Sequence, residues 1–230
     1  MTRRTSVIMP VRNGARFIRE GIESALAQLA YNDEIVVVDD ASTDATRAIV
    51  ATINDPRLRV LDGAGRGVSS ARNIGLSASV GEFIAFLDHD DLWPPQRHAV
   101  LLRALTGVPA FDWAAGGLRL KVERDAIGIG ALDDLDYPLP AISLCSSLFR
   151  RRLVDQLGGF AETLRFGEDI DFLLRLTELN CRVARVDSDT LIYRRHNANT
   201  TLDDVGVEDG FMQVLRQRRL RMRSHKESKG

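Results

Sequence analysis

The spacing of apolar positions predicts a regular alternation of strands and helices that loosens past the middle of the chain. A β-branched and apolar run over residues 6–9 meets Asn13 and Gly14, after which Phe17, Ile18, Ile22, Ala25, Leu26 and Leu29 recur at helical spacing. This predicts strand, turn and helix. Residues 34–38 predict a second strand, and Ser42, Thr43 or Asp44 can cap a following helix that carries Ala45, Ala48, Ile49 and Ile53. Residues 58–61 predict a third strand and 68–78 a helix. Residues 83–87 form an unbroken apolar run of the kind found in a strand covered on both faces. Pro94 and Pro95 are expected to open a helix to about Leu105, since proline is tolerated in a first turn. Such alternation implies a mostly parallel, doubly wound α/β sheet with right-handed crossovers.

From about Ala110 the rhythm changes. Residues 111–122 read as one or two longer strands, 133–140 as a surface loop, 151–157 as a short helix, 168–179 as a stronger helix, and 182–186 and 191–193 as strands. The expected organisation is one domain over residues 1–205, with halves of about 1–107 and 108–205, and a basic segment over 206–230. The last fifteen residues hold Arg216, Arg218, Arg219, Arg221, Arg223, Lys226 and Lys229 against one acid, Glu227. Val207, Phe211, Val214, Leu215, Leu220 and Met222 also lie in the segment. It can be a helix lying on an anionic membrane, or a helix packed on the body with a solvated end.

Composition narrows the class. At 230 residues and 44% hydrophobic content, the chain can bury roughly 70% of its extended-chain surface as one globular domain. No apolar run approaches the roughly 20 residues of a membrane span, and the run near the N-terminus is too short for a secretory core. A cytoplasmic protein is expected, with peripheral contact at the inner face of the membrane under the membrane reading of the tail. The net charge of -1 offers no field for nucleic acid, which is not expected as a partner. Cys145 and Cys181 lack metal-ligand spacing and are expected to be reduced and buried.

In open parallel sheets, ligands bind beyond the carboxyl ends of the strands, which directs attention to Arg12 and Asn13, to Asp39 and Asp40, and to Asp88, His89, Asp90 and Asp91. Three carboxylates within four residues repel one another, and a divalent cation is the simplest compensation. Hard oxygen ligands suit Mg²⁺ or Mn²⁺. The plainer alternative is that Asp91 caps the helix after Pro94 while its neighbours are solvated. Asp39 and Asp40 can serve a helix cap, or one of them can accept hydrogen bonds from a base or ribose.

Six segments in order resemble the family 2 glycosyltransferases of the GT-A fold: SVIMPVRNGARFIREGIESALAQ from Ser6, EIVVVDDASTDAT from Glu34, GVSSARNIGL from Gly67, GEFIAFLDHDDLW from Gly81, LGGFAETLRFGEDIDFLLRL from Leu157, and YRRHNANT from Tyr193. The resemblance implies a GT-A fold whose first half binds a nucleotide-diphosphate sugar, often UDP-linked, and whose second half faces a hydroxyl acceptor. It places Pro10, Arg12, Asp39, Asp40, Arg72, Asp88 and His89 at the donor. It assigns Asp90, Asp88 and His196 to a Mn²⁺ or Mg²⁺ ion, His196 alternatively to the diphosphate. Glu168 and Asp169 match an acidic pair whose aspartate is the expected base, and Phe166 lies on the acceptor side, where residues 133–147 also belong. Arg12 stands where the family often has an aromatic.

The expected activity is metal-dependent, inverting transfer of a single sugar in surface polysaccharide, cell-envelope or glycoconjugate synthesis. The string QVLRQ from Gln213 lacks the tryptophan of processive synthases. A sugar nucleotidyltransferase would need a glycine-rich basic loop after the first strand, which VRNGAR is not. A non-enzymatic GT-A scaffold is the other alternative. A phosphoacceptor receiver is too short to account for this chain, and a dinucleotide oxidoreductase lacks its GxGxxG.

Overall fold

The computed structural model describes residues 4–123, 137–139, 143–199 and 204–227, with the backbone alone at 137–139 and at several positions near either end of the last helix. The first half follows the alternation its apolar pattern demands: β1 (Thr5–Val11), α1 (Ile18–Leu26), β2 (Glu34–Asp39), α2 (Thr46–Ala51), β3 (Leu58–Asp62), α3 (Val68–Ala78), β4 (Phe83–Phe86) and α4 (Arg97–Thr106). β1 pairs in parallel with both β2 and β4, and β2 with β3. Both sheet faces are covered, so Val7, Ile8, Met9, the run 35–38 and the run 83–87 lose all solvent contact.

The second half comprises β5 (Trp113–Val122), β6 (Tyr137–Leu139), β7 (Ser147–Arg150), α5 (Arg151–Leu157), α6 (Glu168–Glu178), β8 (Val183–Arg195) and α7 (Asp204–Glu227). Among the described residues there is one eight-stranded sheet in the order β3-β2-β1-β4-β7-β5-β6, with β8 on β5. β7 joins the halves, antiparallel to β4 on one edge and to β5 on the other. Phe86 of β4, Phe149 of β7, Phe160 and Phe172 of α6 then close over the seam. The Phe160 and Phe172 rings stack at 4.7 Å, and Phe86 meets Phe160 edge-on at 5.2 Å.

Several local expectations change. β7 is unforeseen, because four residues running straight into a helix show no alternation. The expected loop 133–140 contributes β6, paired to β5, while 133–136 lie outside the described residues. The two expected strands at 182–186 and 191–193 are one strand, β8. Its register against β5 shifts on either side of Gly117, a bulge that absorbs the polar Asp187, Ser188 and Asp189. Pro94 and Pro95 precede α4 rather than opening it, because Gln96 adopts φ 64° and the helix starts only at Arg97.

Asp44, not Ser42, serves the start of α2: its Oδ1 accepts the Thr46 N–H at 2.9 Å. Ser42 Oγ instead accepts the Asn13 N–H at 2.9 Å.

The basic segment is α7, and it packs along α6. Val214 is buried, Arg221 donates to Glu178 and Asp171 at 3.0 Å each, and Arg218 approaches Glu178. Lys229 lies outside the described residues, as do the side chains of Lys226 and Glu227. Cys145 is buried and Cys181 half-buried, both as free thiols. No helix among the described residues is long and apolar enough to cross a membrane.

Candidate active site

The turns after β1 and β2 clamp each other at the carboxyl edge of the sheet. Asn13, at φ 54°, accepts the Thr43 N–H at 2.8 Å, while the Gly14 and Ala15 amides donate to Thr46 Oγ1 and Asp44 Oδ2. Gly14 is required by close approach, since a Cβ there would lie 2.4 Å from the His89 ring. Pro10 is buried in β1 opposite Val38. Arg12, just past the strand, is exposed.

Asp39 and Asp40 are both buried and largely committed. Asp39 Oδ1 accepts the Ser42 N–H at 3.0 Å. Asp40 accepts the Gly65 and Gly67 amides at 2.7 Å, one on each oxygen, and so fixes the loop that leads into α3. The base or ribose contact expected of this pair would use whatever acceptor capacity those amides leave.

Arg72 of α3 is the hinge of the site. It is buried, and its guanidinium donates to Asp88 beyond β4 and to Glu168 at the start of α6, both at 2.7 Å. Burial alone would weaken its charge, but Asp88 and Glu168 reverse this and hold it more firmly protonated than usual. Burial would likewise raise Asp88, yet Arg72 and a Cys145 thiol hydrogen bond keep that carboxyl below its ordinary range. Burial wins at Glu168, which is raised despite Arg72, with neighbouring Asp169 adding to the shift. The expected donor and acceptor sides thus meet through one cation.

Asp169 is half-buried and accepts the N–H of Ile170 at 2.8 Å. It has no cationic partner among the described residues, whereas Asp171, two residues on, is fully buried and paired with Arg175 at 2.7 Å and Arg221 at 3.0 Å. Phe166 lies beneath α7: a Cβ on Gly210 would come within 2.6 Å of it, so only glycine lets the helix close over that loop. Of the acceptor-side stretch expected over 133–147, residues 133–136 and 140–142 lie outside the described residues.

Asp90 Oδ2 stands 3.1 Å from Nε2 of His196, which stacks on Phe17 at 4.4 Å. That separation would suit neighbouring ligands of one ion. The Ala198 N–H, however, donates to His196 Nδ1 at 3.2 Å, which leaves the ring proton on Nε2 and makes the imidazole a donor to Asp90. Asp88 is already held by Arg72. No group of three or more His, Cys, Asp or Glu side chains among the described residues is arranged to hold a metal. The donor set fits an ion held by Asp90 and otherwise by diphosphate oxygens and water, a common mode for Mg²⁺.

The network behind Asp90 had no separate sequence signal. Asp91 does not cap α4. Buried, it accepts the Arg194 N–H at 3.0 Å, and burial with Asp90 and Asp88 pushes its carboxyl well up. Arg194 also donates to the Asp90 carbonyl and to Glu20 (2.6 Å). Asn199 Oδ1 accepts the His196 N–H. Arg194 and Asn199 sit inside YRRHNANT, but nothing in the string distinguishes them from its exposed members.

Residues 6–114 match the family described as Glycosyl transferase family 2. The chain is 34% identical over 198 residues to the succinoglycan biosynthesis protein ExoO of Rhizobium meliloti, covering 76% of this chain and 55% of ExoO. Residues 1–349 of S. aureus TarS in complex with UDP superpose with a TM-score of 0.67 at 25% identity, over 83% of this chain and 60% of that one. The mannosyltransferase PcManGT of Pyrobaculum calidifontis, solved with GDP-Man and Mn²⁺, gives 0.70 at 20% identity, over 93% and 63%. Both solved proteins share the GT-A fold of this sheet and its helices. The chain spans 55–65% of the length of the first curated relatives it matches.

Proposed function

The chain belongs to glycosyl transferase family 2, and from that premise we propose that it moves one sugar from a nucleotide-diphosphate donor, UDP-linked, to a hydroxyl acceptor with inversion, in the assembly of a surface polysaccharide or envelope glycoconjugate. The observation that carries this reading is the pair of acids left with spare capacity at the meeting of the two halves. Among the described residues the Asp90 carboxylate is bonded only by His196 and Asn199, and Asp169 has no cationic partner.

Asp169 receives the proton of the attacking acceptor hydroxyl, which acidifies as its bond to the anomeric carbon forms. The Glu168–Arg72–Asp88 chain holds the start of α6 against the turn after β4, so that base and donor keep one spacing. Arg12, exposed at the rim, lies flat on the nucleotide base, as a planar guanidinium can. The His196 proton steadies Asp90 or meets a diphosphate oxygen. A Mg²⁺ or Mn²⁺ ion held by Asp90 would supply charge neutralisation for the departing nucleotide diphosphate. The two solved proteins carry different nucleotides, UDP and GDP-Man, and ExoO is a succinoglycan biosynthesis protein. The UDP assignment follows TarS, the nearer of the two in sequence.

The test is a transfer assay over nucleotide sugars with a simple hydroxyl acceptor, the product's anomeric configuration being read by NMR. Net inversion with one sugar added is the expected result. Retention, or successive additions on one acceptor, would refute the mechanism.

A further inference from the structure

The outer face of α7 takes no part in the site, yet it is organised. Phe211, Met212, Leu215, Leu220 and Met222 are each 39–65% exposed. At 3.6 residues per turn, Phe211, Leu215 and Met222 fall within about 40° of one another, and Arg219, Arg223 and Arg216 form a stripe beside them with Met212 in its midst. Arg218 and Arg221 face the body and are absorbed by Glu178 and Asp171. They fix the helix, so the apolar line and the basic stripe are presented on a rigid element. Leu215, Arg218, Arg219, Met222 and Arg223 line an open groove of 440 Å³. The acids with described side chains on this face are Glu208 and Asp209, both in the turns nearest Phe166.

We infer that this face docks on an anionic lipid surface, apolar side chains entering the headgroup boundary and Arg216, Arg219 and Arg223 meeting phosphates. Charge decides the occupant. A second copy seated by two-fold symmetry would bring six arginines together against only Glu208 and Asp209 of each helix, whereas an amphipathic helix with arginines flanking its apolar line is what an anionic bilayer binds. The docking also has a direction. Gly210 and Val214, one turn apart, pack on Phe166 and Gly167, immediately before Glu168 and Asp169, so the helix lays the acceptor side of the site next to the bilayer.

The test floats the full chain with vesicles of phosphatidylcholine alone and of phosphatidylcholine mixed with an equal share of phosphatidylglycerol, with no donor or acceptor present. Binding is expected to the mixed vesicles only. The triple variant Arg216→Gln, Arg219→Gln, Arg223→Gln should lose affinity by on the order of a hundredfold, since each arginine near such a surface contributes about fivefold. Leu215→Ser with Met222→Ser should weaken binding further, with circular dichroism unchanged because these side chains support no core.

Binding to neither vesicle, equal binding to both, wild-type binding by the arginine variant, or a dimer in sedimentation that either variant dissolves would overturn the inference. Sugar transfer is not read in this experiment, so its failure leaves the catalytic proposal standing.

Discussion

The turn after β2 and the first turn of α6 each carry adjacent acids, yet they use them in opposite ways. After β2, Asp40 spends both oxygens on backbone amides and Asp39 spends one on Ser42, so these carboxylates hold loops in place. At α6, Glu168 and Asp171 are bound by arginines while Asp169 between them takes, among the described residues, only a local amide at the rim. A carboxylate saturated by its own fold is structural first. One with spare acceptor capacity, at a strand or helix end, is available for chemistry.

The sharpest way to break this contrast is Asp169→Asn. Turnover should fall at least about a hundredfold while donor affinity persists and stability stays within about 0.5 kcal/mol. Near-normal turnover would remove Asp169 as the base. Next in size is Arg72→Met, which leaves buried Glu168 unpaired and should cost about 3 kcal/mol in denaturant unfolding. Adding Glu168→Gln should recover part of that loss, and no recovery would mean that the pair is not what joins the halves.

Asp40→Ala should cost about 2 kcal/mol by stranding two loop amides. If it lowered donor affinity without lowering stability, the distinction between saturated and available acids would fail at its own reference point.

The smallest effect concerns a buried polar group at the amino ends of the strands, away from the site. Burial, with Arg97 beside it, pushes His98 down to about 4, so the unfolded chain binds this proton first as pH falls. Stability is therefore full above the ordinary histidine range and declines between about pH 6.5 and 4. His98→Phe should flatten that part of the pH–stability curve and leave transfer at neutral pH unchanged.

The first half was legible because its longer elements display their period and its short β4 sits in an unbroken apolar run: residues 68–78 read from spacing alone are α3 as observed. The second half was less so. β7 is four residues whose identity as a strand depends on the two edges it bridges, information held in β4 and β5. The candidate residues came from motif strings, and all are described, but a string cannot say which acids are saturated. Asp88 and Asp90 are equivalent in LDHDD. Only the fold assigns Asp88 to Arg72 of α3, and Asp90 to a histidine from the far end of the chain.

The most direct measurement is calorimetric titration of the wild type, Asp90→Ala and Asp169→Asn with a panel of nucleotide sugars, in Mn²⁺ and in chelator. Binding of at least one donor should require the metal, vanish in Asp90→Ala and survive in Asp169→Asn. A chain that binds no donor, or binds one equally well in chelator and with Asp90 removed, would contradict the account.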